Sequence, residues 1–254
     1  MAIRLVIAGC CGRMGRAIAE LALHDSVFAL GAAFEAAGHE AVGQDYATVL
    51  GKPNALGVRV IDDARAAMSH GDVLIEFTTP DATVAHVRLA QELRKPVVVG
   101  TTGLSESQQG LLREAARTIP VVLSPNMSVG VNVLFELVQA AAARLGMGYD
   151  VEIVESHHRG KKDAPSGTAK RLAQLLEATR KQPSGSIPVH AIRAGDVVGD
   201  HTVIFAGSSE RLELTHRAHS RAVFAQGALR AARFAQSARP GLYEMADVLR
   251  HHHE

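Results

Sequence analysis

The sequence has few features that would suit an oxidising compartment, a membrane or a nucleic-acid partner. Only two cysteines occur among 254 residues, and Cys10 and Cys11 are adjacent, so they cannot crosslink distant parts of a fold. The net charge is +1, from 27 basic and 26 acidic residues, which gives no reason to expect nucleic acid or a membrane as partner. No signal peptide and no apolar run of membrane-spanning length is recognisable. We therefore expect a cytoplasmic protein in which recognition of anions is local.

Metal-binding and repeat signatures are also absent from the sequence. It has no HExxH motif, no dispersed cysteine cluster and no internal repeat, so we predict no metal. What remains is an ordinary globular composition, 47% hydrophobic and 21% charged, and the length suits two modest domains. The closing histidines, residues 251–253, are either a natural tail or a cloning remnant, and we assign them no function.

The first 35 residues have the pattern of a dinucleotide-binding corner. An apolar strand from Ile3 leads into glycines at 9, 12 and 15, and a helical segment follows, an order that places phosphates over a helix N-terminus. The GxxGxxG spacing is a weak signal by itself, because GxGxxG is commoner. The next strand ends at Glu35, twenty residues past Gly15, where such folds place the carboxylate that binds the adenosine ribose. The alternative is that Glu35 is only a solvated charge, but the preceding glycines favour the ribose role.

Strands and helices continue to alternate up to residue 127. We predict strands at 58–61, 72–77, 96–99 and 120–123, and a surface connection over 36–56. The strand at 72–77 is apolar without alternation, which is typical of a parallel strand covered on both faces. Polar turns, Gly100-Thr101-Thr102-Gly103 and Ser124-Pro125-Asn126-Met127, follow two of these strands and are expected to line a ligand crevice, unless they are connecting loops only. The pattern predicts a Rossmann-like, doubly wound parallel α/β sheet.

The remaining chain predicts a second, α+β domain for substrate binding and oligomerisation. A long apolar helix at 128–144 precedes strands beginning at 151, 189, 201 and 211, with a hairpin-like turn at Gly199-Asp200. Residues 222–235 are helical again, Pro240–Tyr243 stops that helix, and a short helix closes the chain. We expect a dinucleotide-binding domain at 1–127, completed by about 222–254, and a second domain at 128–221.

The chemistry is expected within residues 151–168, where a strand runs into histidines and cations. His157, His158, Arg159, Lys161 and Lys162 fall within six residues, and Ser166-Gly167-Thr168 then opens a helix. A serine cap and a glycine at a helix start can hold a carboxylate or phosphate, and imidazole can exchange a proton near neutral pH. The alternatives are a basic surface loop before an ordinary helix, or a metal site, although adjacent histidines are poorly placed to share one ion.

These residues resemble one family closely, the 4-hydroxy-tetrahydrodipicolinate reductases, also called dihydrodipicolinate reductases, of bacterial lysine and diaminopimelate synthesis. The resemblance runs from the first strand to the last helix, and the string from His157 to Thr168 is its most specific part. The matching motifs are Gly9-x-x-Gly12-Arg13-Met14-Gly15, Glu76-Phe77-Thr78-x-Pro80, Gly100-Thr101-Thr102-Gly103, Asn126-x-Ser128-Val129-Gly130-Val131-Asn132 and Glu155-x-His157-His158-x-x-Lys161-x-Asp163-Ala164-Pro165-Ser166-Gly167-Thr168-Ala169.

The resemblance implies a role for each part of these motifs. His157 would donate and accept protons, Lys161 would be a second proton donor, and His158, Gly167 and Thr168 would hold the carboxylates of a small cyclic dicarboxylate. The residues implied to bind NADH or NADPH are Gly9, Cys10, Cys11, Gly12, Arg13, Met14, Glu35, Gly100, Thr101, Thr102, Ser124, Pro125, Asn126 and Met127. The reaction implied is loss of water and hydride transfer to a conjugated C=C–C=N system. A homotetramer, formed through the sheet of the second domain, is implied as well.

The sequence departs from the family pattern at a few positions. Members that accept NADPH readily tend to carry an arginine after the ribose-binding acid, whereas Glu35 is followed by Ala36, so NADH is expected to be preferred or equal unless Arg13 reaches the phosphate. Glu76 stands where aspartate is usual, and we expect little consequence. Ser124-Pro125 and Met127 replace Ala-Ala and Phe of some members and should affect loop packing more than chemistry.

Three other functions are compatible with parts of the sequence. A non-catalytic dinucleotide sensor would keep the glycine corner and Glu35 but would not need two histidines and a lysine at a helix start. A metal-dependent hydrolase would use the histidines as ligands and would be inactivated by chelators. Another reductase of a small carboxylated substrate would share the glycine corner and the acid–base residues. Only the family-specific string from His157 to Thr168 separates that alternative from the family's own reaction.

Overall fold

The chain divides into two compact units in a computed structural model that describes residues 1–251. The first unit comprises Met1–Met127 with the described part of Phe224–Glu254, and the second comprises Ser128–Val223. Of the closing histidines, to which no function was assigned, residues 252 and 253 lie outside the described residues.

A seven-stranded sheet forms the centre of the first unit, and every neighbouring pair of its strands is parallel. The strand order is β11-β6-β5-β4-β1-β2-β3. This sheet confirms the predicted Rossmann-like fold class. The strands are β1 (Ile3–Ala8), β2 (Phe28–Phe34), β3 (Val60–Ile61), β4 (Val73–Glu76), β5 (Val97–Val99), β6 (Pro120–Leu123) and β11 (Gly241–Tyr243).

Helices connect these strands, and local capping residues define where several of them begin. Asp45 and Asp63 each accept a backbone N–H at a helix start, and Ser105 forms a capping box with Gln108. The helices of this unit are α1 (Arg13–Ala22), α2 (Tyr46–Leu50), α3 (Ala64–Ser69), α4 (Pro80–Glu92), α5 (Glu106–Ala115), α8 (Ala222–Ser237, whose first two residues belong to the second unit) and α9 (Met245–Arg250).

The sheet of the first unit is covered by a hydrophobic core on each face. In β1, Leu5 and Ile7 belong to one core cluster, whereas Val6 and Ala8 belong to another. Successive side chains of a strand point to opposite faces, so a strand covered on both sides is apolar at every position. This explains the continuous apolar runs in the sequence.

Two predictions for the first unit were incomplete. Residues 36–56 are more than a surface connection, because they include α2, whose Tyr46 is completely buried and donates its hydroxyl proton to the Cys10 carbonyl at 2.8 Å. Residues 240–243 do more than stop a helix, because Gly241–Tyr243 pairs with β6 as the edge strand. The burial of Tyr46 and the pairing of Gly241–Tyr243 have no local sequence signal, since both depend on contacts with distant residues.

The second unit has a four-stranded mixed sheet with the order β10-β9-β7-β8. Its strands are β7 (Asp150–His157), β8 (Val189–Arg193), β9 (Gly199–Ala206) and β10 (Arg211–Ala218), and its helices are α6 (Val129–Leu145) and α7 (Gly167–Arg180). Apolar side chains from β7, β9, α6 and α7 form its core. The α+β architecture is as predicted, with one correction. Gly199 and Asp200 do not form a hairpin turn but begin β9, and the hairpin lies at residues 207–210, where the Gly207 N–H donates to the Glu210 carbonyl.

Within the described residues, one helical segment, Val129–Gly148, is long and apolar enough to cross a membrane by length and composition. The core helix of a water-soluble protein meets the same criterion, so the observation is weak. Val131, Leu134 and Val138 of this segment are buried in the core of the second unit. The apolar character of the helix is therefore explained in part by packing.

Candidate active site

The alternation of β7 places an acid and a histidine on the core side of the second sheet. Val151, Ile153, Glu155 and His157 are buried, whereas the residues between them are only half-buried. The first two pack in the hydrophobic core, so the same face changes from apolar to polar toward the end of the strand. The strand thus carries His157 to the edge of a packed core, with its side chain 10% exposed.

The Glu155 carboxylate is fully buried and accepts four hydrogen bonds. Its Oε2 accepts from His157 Nδ1 at 2.5 Å and from Arg193 Nη1 at 2.8 Å. Its Oε1 accepts from Arg193 Nη2 at 2.8 Å and from the Ser166 backbone N–H at 3.1 Å. A buried charge is tolerated when it is paired and hydrogen-bonded, and here both conditions hold.

These contacts shift the pKa values of both members of the Glu155–His157 pair. Burial opposes ionisation of Glu155, but the hydrogen bonds from Arg193 and His157 outweigh it and hold the Glu155 pKa below its usual value. The His157 pKa is also lowered, chiefly by burial and further by the charges of Lys161 and Arg193, although Glu155 opposes the shift. The imidazole is therefore neutral at pH 7 beside an ionised carboxylate.

The pair fixes the tautomer of His157. An ionised carboxylate can only accept, so the proton of the neutral ring is assigned to Nδ1, and Nε2 keeps its lone pair. Nε2 faces Gly199, where a Cβ atom would lie 3.0 Å from it. A side chain at position 199 would crowd the ring. The arrangement thus presents one nitrogen that can accept or return a proton.

His201 and Ser166 support the same polar edge of the core. Ser166 caps α7 by accepting the Ala169 N–H, and its hydroxyl lies 3.0 Å from His201 Nε2. The rings of His201 and His157 meet edge to face with centroids 5.2 Å apart. Burial, and then the nearby His157, lower the His201 pKa to about 3, so this ring stays neutral across the physiological range.

The cations predicted from the sequence lie in the segment that precedes α7. Lys161 Nζ donates to Asp163 Oδ1 at 2.8 Å, and Arg159 and Lys162 are exposed. His158 is half-buried, and a Cβ added to Gly167 would meet no atom within 4 Å, so the first turn of the helix is open. Thr168, by contrast, is buried. An open helix N-terminus among cations is suited to a carboxylate.

The glycine corner of the first unit has the close packing that its sequence predicts. A Cβ on Gly15 would lie 2.5 Å from the Gly9 carbonyl oxygen, so only glycine lets α1 approach the turn so closely. Gly9 itself has a φ of +60°. Gly12 is the N-cap of α1 and provides no side-chain cap. Arg13 is exposed, and Met14 packs against the core.

Glu35 lies directly beside this turn, as its position in the sequence predicts. Its Oε2 accepts the Cys11 backbone N–H at 3.1 Å and its Oε1 accepts the Ala36 N–H at 3.0 Å. A carboxylate has about four acceptor positions, so these bonds orient Glu35 and leave capacity for a ligand hydroxyl. The Arg16 guanidinium donates to the Cys11 carbonyl at 2.9 Å, so it braces the turn.

The turns after β4 and β5 are joined by a buried network centred on Glu76. This fully buried carboxylate accepts a hydrogen bond from the Thr78 N–H at 3.0 Å and lies 2.7 Å from His86 Nδ1. The Thr78 N–H also donates to Thr101 Oγ1 at 3.1 Å. We expected little consequence of glutamate at this position. The network joins the turn after β4 to the predicted cofactor loop at Gly100–Thr102. Gly100 is packed against the Phe77 ring, which would lie 2.0 Å from an added Cβ.

The residues predicted at the turn after β6 have different environments. The Ser124 hydroxyl is buried and donates to the Asn126 carbonyl at 2.8 Å, so it shapes the turn. Pro125 is exposed and Thr102, in the preceding turn, is also exposed. Met127 is buried in the core, with 2% of the residue exposed, so its side chain is not presented to a ligand.

Sequence reasoning missed the residues that organise His157. Glu155 was noted only as part of a motif, although the alternation of the strand would have placed it on the same face as His157. Arg193, 38 positions from Glu155, and His201, 35 positions from Ser166, have no local signal. In residues 1–251, the group spaced to hold a metal ion is Cys10, Cys11 and Glu35, which does not include the adjacent histidines.

Comparisons with known proteins agree on one family over both units. The profile of the dihydrodipicolinate reductase N-terminus matches residues 3–127, and that of its C-terminus matches residues 130–249. The 4-hydroxy-tetrahydrodipicolinate reductase of Thiobacillus denitrificans is 48% identical, covering 98% of this chain and 99% of the relative. That of Ralstonia nicotianae is 46% identical, covering 97% and 99%.

Solved structures give the same result. A dipicolinate-bound dihydrodipicolinate reductase from Paenisporosarcina sp. TG-14 is similar with a TM-score of 0.78 and 25% identity, covering 96% of this chain and 98% of the other. An amine dehydrogenase from Mycobacterium smegmatis, at 15% identity and a TM-score of 0.65 over 95% and 94%, shares the fold alone. Two profile matches that span nearly the whole chain, together with relatives of this identity, establish that the protein belongs to the dihydrodipicolinate reductase family.

Proposed function

We propose that the protein reduces 4-hydroxy-tetrahydrodipicolinate to tetrahydrodipicolinate in lysine and diaminopimelate biosynthesis, with loss of water and with NAD(P)H as reductant. Family membership supports this reaction above the sensor and hydrolase alternatives. The observation that carries the assignment of roles is the buried Glu155–His157 pair at the start of α7. A bound nicotinamide would supply the hydride, and the second unit would supply protons and hold the substrate carboxylates.

His157 is proposed as the residue that accepts and returns the proton. Its Nε2 carries the free lone pair, and the Glu155 carboxylate stabilises the ring when that nitrogen is protonated. The lowered pKa makes the protonated ring a readier proton donor, which suits quenching of the negative charge that develops on hydride transfer. Lys161 is the second donor, because its ammonium has three N–H bonds and Asp163 accepts one of them.

The cyclic dicarboxylate is proposed to bind to two kinds of donor. His158 meets one carboxylate, and the first turn of α7, at Gly167 and Thr168, meets the other. The open space over Gly167 admits a ligand there, since a side chain at this position would extend into it. The dipicolinate bound by the Paenisporosarcina relative is a planar dicarboxylate of the same class.

The dinucleotide is proposed to bind at the glycine corner, at Glu35 and at the turns after β5 and β6, with NADH preferred or equal to NADPH. Glu35 accepts a ribose hydroxyl but repels a 2′-phosphate, and Ala36 supplies no compensating cation. Arg13 is exposed at the turn and is the residue that would allow use of NADPH. Ala36→Arg should therefore raise the affinity for NADPH relative to NADH, measured by fluorescence titration of both, and an unchanged ratio would mean that a cation already meets the phosphate.

A homotetramer assembled through the sheet of the second unit is proposed by resemblance to the family, and the cytoplasm is its proposed location. Val154, Ile192 and Ile204 lie on the face of this sheet opposite the core, and Ile192 is 46% exposed. Apolar side chains on an uncovered sheet face are typical of a surface that another chain covers. Sedimentation velocity of the purified chain would test this assembly.

The reaction is tested by following oxidation of NADH and NADPH while the preceding synthase generates the substrate from pyruvate and aspartate semialdehyde. Oxidation that depends on this product is expected. His157→Ala and Lys161→Ala should each reduce kcat by about 100-fold or more while leaving NADH binding nearly unchanged. Lys162→Ala, an exposed neighbour, is the matched control and should retain most of the activity. Normal turnover in either test variant would remove that residue from the mechanism, and cofactor binding without oxidation would refute the substrate assignment.

A further inference from the structure

The proposed reduction assigns no step to the thiols of Cys10 and Cys11. The predicted contribution of this turn to dinucleotide binding comes from its glycines and from backbone N–H groups at the start of α1. The two thiols nevertheless lie side by side, with Sγ atoms 3.8 Å apart, and Glu35 is held next to them by the bond from the Cys11 N–H. One ligand atom from each of the three residues lies within 4.8 Å of the others.

The separation of the sulfur atoms matches the geometry of a soft metal centre. A disulfide needs about 2.05 Å between sulfurs, so the observed 3.8 Å is not a bond. Two sulfur ligands at about 2.3 Å from a tetrahedral zinc ion lie roughly 3.8 Å apart, which is the distance found here. A carboxylate oxygen binds such an ion at about 2.1 Å, and a Glu35 oxygen lies within 4.8 Å of both sulfur atoms, so it can take a third position.

The turn is held in this geometry by contacts that do not involve the thiols. The buried Tyr46 hydroxyl donates to the Cys10 carbonyl at 2.8 Å, and Arg16 Nε donates to the Cys11 carbonyl at 2.9 Å. Cys10 is fully buried, whereas Cys11 and Glu35 are half-buried, so an ion would enter from the side of these two residues. Preorganised ligands with one open approach are what a binding site for an exchangeable ion requires.

We propose that Cys10, Cys11 and Glu35 form an inhibitory site for a thiophilic divalent cation such as Zn²⁺ or Cd²⁺. The ion displaces the thiol protons and is held by two thiolates and one carboxylate, with water in the fourth position. The ion binds the Glu35 carboxylate, which is also the proposed partner of the adenosine ribose. The metal and the dinucleotide therefore exclude each other. This exclusion rests on the proposed placement of the dinucleotide, whereas the metal site itself does not.

The test uses Cd²⁺ alone, added to the reduced full-length protein, with the ultraviolet charge-transfer band of Cd²⁺–thiolate bonds as readout. The chain has only two cysteines, so this band reports on the proposed site and is not produced by imidazoles elsewhere. One Cd²⁺ per chain with the amplitude of two thiolates is expected. Cys11→Ser should halve the amplitude, and Glu35→Gln should weaken binding about tenfold or more. Circular dichroism checks that each variant is folded.

Three results would overturn the proposal in whole or in part. No charge-transfer band, or saturation at one Cd²⁺ for two chains, would refute the site while leaving the reductase assignment intact. An unchanged amplitude in Cys11→Ser would refute the two-thiolate geometry. Two-thiolate binding that NADH does not weaken would refute the exclusion and, with it, the placement of the dinucleotide at this turn. Competition between NADH and Cd²⁺ supports both the mutual exclusion and the placement of the dinucleotide at this turn.

Discussion

Replacing Glu155 by glutamine tests how the buried carboxylate positions His157. The carboxylate accepts two hydrogen bonds at each oxygen, from His157 and Arg193 at Oε2 and from Arg193 and Ser166 at Oε1. Glutamine keeps a single acceptor oxygen. Whichever way the amide is turned, its NH₂ group faces two donors, and the Arg193 guanidinium loses its counter-charge in a largely buried position.

The expected loss of stability is about 3 to 5 kcal/mol, the usual cost of removing one partner of a buried ion pair. The expected loss of kcat is about 10³- to 10⁴-fold, because an amide that donates to Nδ1 forces the ring proton onto Nε2. Binding of NADH should be unchanged, since Glu155 lies in the second unit and the glycine corner in the first. The assays are guanidinium unfolding, NADH titration and the pH dependence of kcat. If Glu155 had a purely structural role, the shape of the kcat–pH profile would not change.

Glu152→Gln is the matched control. Glu152 lies on the same strand and pairs with His190 at 2.5 Å, but the Glu152 and His190 side chains are 42% and 60% exposed, so its loss should cost about 0 to 1 kcal/mol. If Glu155→Gln lost no more stability than Glu152→Gln and kept kcat within about threefold, the carboxylate would not be positioning His157, and our account of the pair would be wrong.

Two further predictions concern stability. His201 has a pKa lowered from 6.5 to about 3, so below pH 6.5 the unfolded chain binds a proton that the folded chain does not; stability should therefore fall by about 1.4 kcal/mol for each pH unit between 6.5 and 3. Urea unfolding of His201→Gln should show a shallower loss toward about pH 5, and an identical slope would contradict the shift. Gly227→Ala should destabilise by about 3 kcal/mol or more, because the new Cβ would lie 1.7 Å from the Met127 carbonyl oxygen. Its control, Gly110→Ala, is also within a helix but meets only Arg113 Nη2, at 3.8 Å, and should stabilise by about 0.5 to 1 kcal/mol; equal effects in thermal unfolding would refute the packing argument.

The parts of the molecule that could be predicted from sequence are those governed by neighbouring residues. The glycine corner depends on backbone conformation and close approach within one turn, so Gly9 and Gly15 reveal it. The Ser166 cap acts over three residues, to the Ala169 N–H. The position of Glu35 follows from the length of a strand–helix–strand unit. The resemblance to a family rested on these local strings and is confirmed by the comparisons.

Other features were decided by how distant strands pair. Tyr46 reaches the Cys10 carbonyl across 36 positions, and Gly241–Tyr243 becomes a strand only because β6 offers it an edge. Residues 36–56 therefore gave no signal for a buried helix, and residues 240–243 gave none for an eleventh strand. A polar or short segment takes regular structure when tertiary contacts satisfy its backbone, which no local pattern specifies.

The sequence by itself determined which residues are proposed to carry the chemistry, because His157, Lys161 and the start of α7 lie within one short string. Only the tertiary structure decided the tautomer and the pKa of His157. Register places Arg193 opposite His157 on β8, and His201 opposite Glu155 on β9. A shift of one residue in either pairing would turn these side chains to the other face of the sheet. The environment that fixes the tautomer and lowers the pKa of His157 is thus a property of strand register, which the whole fold sets.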